Sequence, residues 1–229
     1  MVVSRKKKRV VSGVPQGSVI GPLLFLIFIN DLEISHPSVQ CRFFADDCVL
    51  FTDIVCGADQ VNLNDCLSQI SSWCERWQMV MNASKSAHMT VTNKKQPLSF
   101  TYTIDDLPLQ KVTEYKYLGV TITSNLSWNA HISDLVTRAS RKLWFLRRNL
   151  RHCTSTTKLA AYKCLIRPVL EYEDAVWDPR SQVCINALEK MQKKALRFIY
   201  NRYGSRSFIT ELSQLSGLPR LATRRKITD

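Results

Sequence analysis

The sequence predicts an α+β chain that changes character near residue 124. Short β-rich runs alternate with two helical stretches before that point. After it, apolar residues recur at helical spacing to the end. The charge divides at nearly the same place. Residues 1–128 hold 12 Lys+Arg against 11 Asp+Glu, and residues 129–229 hold 20 against 8. Two domains are therefore expected, 1–124 and 125–229: an antiparallel sheet with packed helices, then an all-helical basic region.

Val10–Pro15 reads as a strand running into a turn, with Gln16-Gly17-Ser18 as turn and cap. Pro22 suits a first helical turn, so Leu23–Glu33 reads as a strongly apolar, buried helix. Val39–Phe44 and Cys48–Thr52 read as a hairpin around Ala45-Asp46-Asp47. Leu63, Leu67, Ile70, Cys74 and Trp77 advance in steps of 4, 3, 4 and 3, which sets an amphipathic helix within Asp59–Val80. His88–Thr92, Leu98–Ile104, Leu107–Val112 and Tyr117–Thr123 read as strands, with Asp105-Asp106 as a turn. Ile132 to Leu150, Leu159 to Val169 (entered through Thr154-Ser155) and Cys184 to Phe198 mark three further helices.

Composition narrows the function. The chain has 229 residues, 45% hydrophobic, and a net charge of +13. That is globular, and the excess charge points to a polyanionic partner. The eight cysteines form no CxxC pair and lack zinc-ligand spacing with the four histidines, so they read as buried or half-buried thiols. Met1–Val10 is basic and has no apolar core, so no secretory signal is read and an intracellular setting is expected. The longest apolar run, Val19–Ile29, is 11 residues broken by Gly21-Pro22, too short to span a membrane.

Two segments could carry chemistry. Asp46 and Asp47 are flanked by apolar runs, Phe43-Phe44 and Val49-Leu50-Phe51, that would fix both carboxylates at a core edge. Concentrated negative charge there calls for a divalent cation, and Mg²⁺ prefers carboxylate and phosphate oxygens. Thirty residues upstream of Asp46 lies Gln16, among glycines 13, 17 and 21, which allow close backbone approach.

Together, SGVPQGSVIGPLLF and FADD resemble the reverse transcriptases of non-LTR, jockey-like retrotransposons. The first segment is similar to the family's motif B and Phe44-Ala45-Asp46-Asp47 to its motif C. Asn82-Ala83-Ser84-Lys85 resembles motif D, and Tyr117-Leu118-Gly119-Val120 resembles the primer grip that precedes the thumb. The resemblance spans essentially the whole chain.

It implies a partial polymerase palm followed by a thumb, and RNA-directed DNA polymerase activity. Asp46 and Asp47 would hold catalytic Mg²⁺, with Mn²⁺ as an alternative, in a two-metal clamp. Gln16 and Gly17 would border the incoming nucleotide and template. Lys85 would protonate pyrophosphate. Tyr117, Leu118 and Gly119 would shape the primer grip. The implied partners are an RNA template, a DNA primer, dNTPs and the missing N-terminal part of the same polyprotein.

The family also needs a motif A aspartate and fingers. Only 11 residues precede Ser12 and none is acidic, so the chain alone is expected to be inactive. A non-catalytic alternative is a nucleic-acid-binding remnant. Arg138, Arg141, Lys142, Arg147, Arg148 and Arg151, with Trp144, would contact backbone phosphates, as would Lys190, Lys193, Lys194 and Arg197. The run Arg5–Arg9 reads as a nuclear localisation patch, which would place the protein in nucleus and cytoplasm.

Overall fold

The computed structural model describes residues 13–14, 17–34, 36–203 and 208–226. The expected first strand, Gln16 and the run Arg5–Arg9 lie wholly or mostly outside them. The chain folds as two compact units. One comprises residues up to 88 together with 94–111, and the other comprises 89–93 and 112 onward.

In the first unit the order is α1 (Gly21–Ile29), β1 (Gln40–Phe44), β2 (Asp47–Phe51), α2 (Gly57–Arg76), β3 (Ala87–His88), β4 (Thr103–Ile104), β5 (Leu107–Pro108) and β6 (Gln110–Lys111). The expected amphipathic helix is α2. Its start is fixed by Asp59, whose Oδ2 accepts from the backbone N–H of Val55 and of Cys56, each at 2.8 Å. These two donors hold the Asp59 carboxyl below its ordinary range. One stripe of α2 buries Ile70, Trp73 and Cys74 against Phe28, Ile29, Leu32 and Leu50. Leu63 and Leu67 pack against Tyr102, Ile104 and Leu109. Asn64 docks the β4–β5 hairpin onto α2: its Oδ1 accepts from the Thr103 N–H at 2.8 Å. Ser71 Oγ donates to Asp105 in the turn of that hairpin.

Two expectations fail in this unit. The helix read as buried, α1, has no buried residue; Leu23, Leu26 and Ile27 are each about 60% exposed. Its apolar residues cover the whole circumference rather than one stripe, so periodicity could not show which side would be covered. The strands read over 88–112 are also shorter than expected and do not form one antiparallel sheet. Among the described residues the strands make four two-stranded ladders, and β3–β6 is parallel. Pro108 within β5 has no N–H with which to extend a ladder.

The second unit holds β7 (Glu114–Tyr117), β8 (Val120–Thr123), α3 (Asn129–Asn149), α4 (Ser155–Ala161), a π-helical turn (Tyr162–Ile166), α5 (Arg167–Leu170), α6 (Asp174–Trp177), α7 (Gln182–Tyr200), α8 (Phe208–Ser216) and α9 (Leu221–Arg225). Thr154 caps α4 as its sequence suggests, accepting from the Thr157 N–H at 3.3 Å. Pro168 lacks the N–H an α-helix would need there, and the π-helical turn just before it absorbs the mismatch. One core gathers Ile132, Leu135, Leu143, Tyr162, Ile166, Leu188, Met191, Phe198 and Leu212, all buried. A chain of hydrogen bonds runs from this core to the surface at Pro219. Tyr162 Oη donates to Gln192 Oε1 at 2.9 Å, and Gln192 Nε2 donates to the Pro219 carbonyl at 2.9 Å.

Candidate functional site

Asp46 and Asp47 lie on the β1–β2 hairpin of the first unit. Phe44 pairs with Asp47 and Gln40 with Phe51, so Ala45 and Asp46 alone make the turn. Ala45 sits at φ +50, a left-handed conformation that suits glycine better. Asp46 thus stands at the apex, and Asp47 is the first residue of β2. Both are exposed. Arg42 holds its guanidinium 5.9 Å from the Phe51 ring centroid. At the open end of the hairpin, Thr52 Oγ1 donates to the Ser38 carbonyl at 2.8 Å.

Cysteine readings need correction here. Cys48, Cys56 and Cys164 are exposed rather than covered. Cys41 and Cys48 also meet across the hairpin, with their sulfurs 3.4 Å apart. The contact with Cys48 holds the Cys41 thiol below its ordinary range, against burial and with help from Arg42. The same contact, with burial, pushes the Cys48 thiol up. The pair therefore favours one thiolate at a time.

The remaining candidates are dispersed. Gly17 takes φ +86 and Gly13 φ +77, so the segment uses the backbone freedom only glycine supplies. Lys85 is exposed at the end of a turn closed by Asn82, whose Oδ1 accepts from the Lys85 N–H at 3.2 Å.

In the second unit, the stretch read as one strand over Tyr117–Thr123 is a hairpin. Tyr117 pairs with Val120, and Leu118 and Gly119 form the turn at φ +46 and +88. Tyr172 closes over it, donating its hydroxyl to the Leu118 carbonyl at 3.1 Å. Beside it, His131 is fully buried and its Nδ1 accepts from the Thr121 N–H at 3.2 Å. Burial, and then Arg138, hold its pKa below the ordinary value, with Asp134 opposing.

The basic residues of α3 and α7 are not equivalent. Arg141, Lys142, Arg148, Arg151, Lys190, Lys193 and Lys194 are exposed. Arg138 is half-buried and ion-paired with Asp134 at 2.9 Å. Arg147 donates to the Lys194 carbonyl at 3.4 Å and faces the Tyr203 ring, and Arg197 is half-buried. Arg148 stacks 4.8 Å above Trp144, which is 60% exposed and offers a flat aromatic surface among the cations. Tyr172, His131, Ala45 and the thiol pair had no sequence signal, because each depends on a contact or a dihedral angle.

Comparison with known proteins assigns the chain to a family. The family model for reverse transcriptase (RNA-dependent DNA polymerase) matches residues 2–122. The chain belongs to the reverse transcriptase family. It is 31% identical over 204 residues to the RNA-directed DNA polymerase from mobile element jockey of Drosophila funebris, covering 84% of this chain and 22% of that protein. It is 29% identical to the probable RNA-directed DNA polymerase from transposon X-element of Drosophila melanogaster, over 83% of this chain and 22% of that protein. It is 28% identical to the probable RNA-directed DNA polymerase from transposon BS of the same fly, over 82% of this chain. The chain thus spans about a fifth of the length of these relatives. No solved structure matches it.

Reverse transcriptases generally use divalent metal ions. Among the described residues no three of His, Cys, Asp and Glu gather where an ion could bind. Asp46 and Asp47 alone do not make a two-metal site, which needs carboxylates from more than one strand. Among the described residues no helix is long and apolar enough to cross a membrane.

Proposed function

We propose that the chain is the later part of a non-LTR retrotransposon reverse transcriptase domain, with part of the palm over 1–124 and a thumb over 125–229. Its reaction is template-directed nucleotidyl transfer from dNTPs to a DNA primer on an RNA template. The observation that carries this reading is the two-residue turn that holds exposed Asp46 at its apex, with exposed Asp47 beside it at the start of β2, in a chain of this family.

Asp46 and Asp47 supply carboxylates to a Mg²⁺ or Mn²⁺ site completed by another part of the polyprotein. When bound, the two ions would activate the primer hydroxyl and stabilise the leaving pyrophosphate. Gln16 and Gly17 border the nucleotide and template, and Lys85 is the proton donor to pyrophosphate. The Tyr117-Leu118-Gly119 turn positions the primer end. The exposed cations of α3 and α7 follow the duplex backbone.

On this reading the 229 residues alone extend no primer. The test joins them in frame to the upstream polymerase segment of the jockey relative and assays primer extension with Mg²⁺. Extension by the fusion, lost in Asp46→Asn, is expected. Extension by the unfused chain that disappears in Asp46→Ala would overturn the proposed inactivity. A fusion inactive with or without Asp46 would overturn the catalytic reading.

A second reading is a nucleic-acid-binding remnant, favoured by the exposed cations around the Trp144–Arg148 stack. It needs no catalysis. If about 6 phosphates are neutralised, log K falls with log salt at a slope near −5. An affinity independent of salt would remove it.

A further inference from the structure

The register of β1–β2 brings Cys41 and Cys48 together. Phe43 pairs with Cys48 and Cys41 with Leu50, so the two cysteines share one face of the hairpin as diagonal neighbours. Their sulfurs are 3.4 Å apart, the one thiol–thiol contact among the described residues. Cys48 is an exposed residue and Cys41 a half-buried one, so solvent reaches the hairpin face that carries the pair. The hairpin ends on Asp46 and Asp47.

We propose that Cys41 and Cys48 are a redox-active dithiol that closes to a disulfide across the hairpin carrying Asp46 and Asp47, with a small disulfide such as oxidised glutathione as the oxidant. The chemistry depends on the hairpin alone and stands whether or not the polymerase reading does. One protein thiolate attacks a sulfur of oxidised glutathione and expels one glutathione thiolate. The second protein thiolate then attacks the mixed disulfide and expels the other glutathione. Two electrons pass from the protein pair to oxidised glutathione, and the two thiol protons end on the two released glutathiones. Whichever protein sulfur is taken first, the other lies in contact with it. Strand pairing holds the resolving thiol at an effective concentration on the order of millimolar or higher, so the mixed disulfide does not persist. Closing a disulfide bond of about 2.0 Å draws the sulfurs together from contact distance and shifts the backbone slightly, because diagonal neighbours stand about 7–8 Å apart. Once closed, it pins the β1–β2 register and stiffens the strained turn.

The test exposes the full 229-residue chain to a glutathione redox buffer, traps free thiols by alkylation at timed intervals and maps the cysteines by tandem mass spectrometry. The Cys41–Cys48 disulfide should appear about tenfold faster than any change at the other six cysteines. Cys41→Ser should leave glutathione accumulated on Cys48, and Cys56→Ser should leave the rate of closure unchanged. Amide hydrogen exchange over Phe44–Asp47 should slow severalfold in the oxidised chain. Circular dichroism of each variant shows that it is folded. The proposal is overturned if glutathione persists on Cys41 or Cys48 while both are present, if another cysteine pair closes first, or if exchange at the turn is unchanged by oxidation.

Discussion

Tyr172 and Gly119 occupy each other's space. A β-carbon on Gly119 would lie 2.9 Å from Tyr172 Cε1, while the Tyr172 hydroxyl bonds the carbonyl of the preceding residue, Leu118. The ring edge therefore rests on a surface that only glycine leaves bare, and Gly119 at φ +88 also needs glycine for its backbone.

Gly119→Ala should destabilise the second unit by about 1–3 kcal/mol, through the left-handed backbone and the displaced ring together. Tyr172→Phe removes only the hydroxyl and should lose about 1 kcal/mol. Adding Tyr172→Ala to Gly119→Ala should recover the steric part alone. Urea midpoints of these proteins and of Tyr172→Ala alone check this, and strictly additive losses in Gly119→Ala, Tyr172→Ala and their double variant would contradict the shared contact.

A pH dependence follows from His131. The folded state holds its pKa below the ordinary value of 6.5, so the unfolded chain takes up the proton first. Stability should be full above that value and fall as pH drops through it toward the folded-state pKa. His131→Asn keeps an acceptor near the Thr121 N–H and cannot charge, so it should flatten the dependence between pH 7 and 5. A urea midpoint that falls just as steeply in the variant would exclude His131 as the source.

Lys158 is fully buried. Its Nζ donates to Asn201 Oδ1 at 3.0 Å and lies 5.2 Å from the Phe198 ring centroid. Asn201 itself takes φ +53 at the end of α7. Asn201→Gly keeps that backbone conformation and removes the acceptor, so the loss reports the bond to the ammonium less the small relief that glycine brings at φ +53. About 1.5–3 kcal/mol is expected by thermal denaturation, the range for a hydrogen bond to a charged group.

The turn at Ala45 should respond in the opposite sense. Ala45→Gly relieves the left-handed backbone at φ +50 and should raise hairpin stability by about 0.5–1 kcal/mol. Slower amide exchange from Phe44 to Asp47 would report it, and faster exchange would show that Ala45 is unstrained.

How much could be read from the sequence depended on the range of the interaction. Asp46-Asp47 at a hairpin tip, α2 with its stripe of Leu63, Leu67 and Ile70, and the Thr154 cap all follow from neighbours a few residues apart. The Leu118-Gly119 turn was hidden because leucine rarely takes φ +46, and β-rich residues on both sides read as one strand. Its clasp comes from Tyr172, 54 residues away from Leu118. Cys41 and Cys48 are seven residues apart, a spacing that carries no motif, and only the pairing register makes them neighbours. Arg138 and Arg147 looked like their exposed neighbours, yet Asp134 and the Lys194 carbonyl hold them.

Helix α1 has a consequence for handling the protein. Nine residues reading GPLLFLIFI present no buried side chain, and Val19 and Ile20 before them are also exposed. Such a surface should impose a concentration ceiling in water, because two molecules meeting through it would release solvent with no polar group to oppose them. Light scattering should rise steeply with protein concentration and with added sulfate. Replacing Leu23, Leu26 and Ile27 by glutamate should raise the solubility limit while leaving the fold intact.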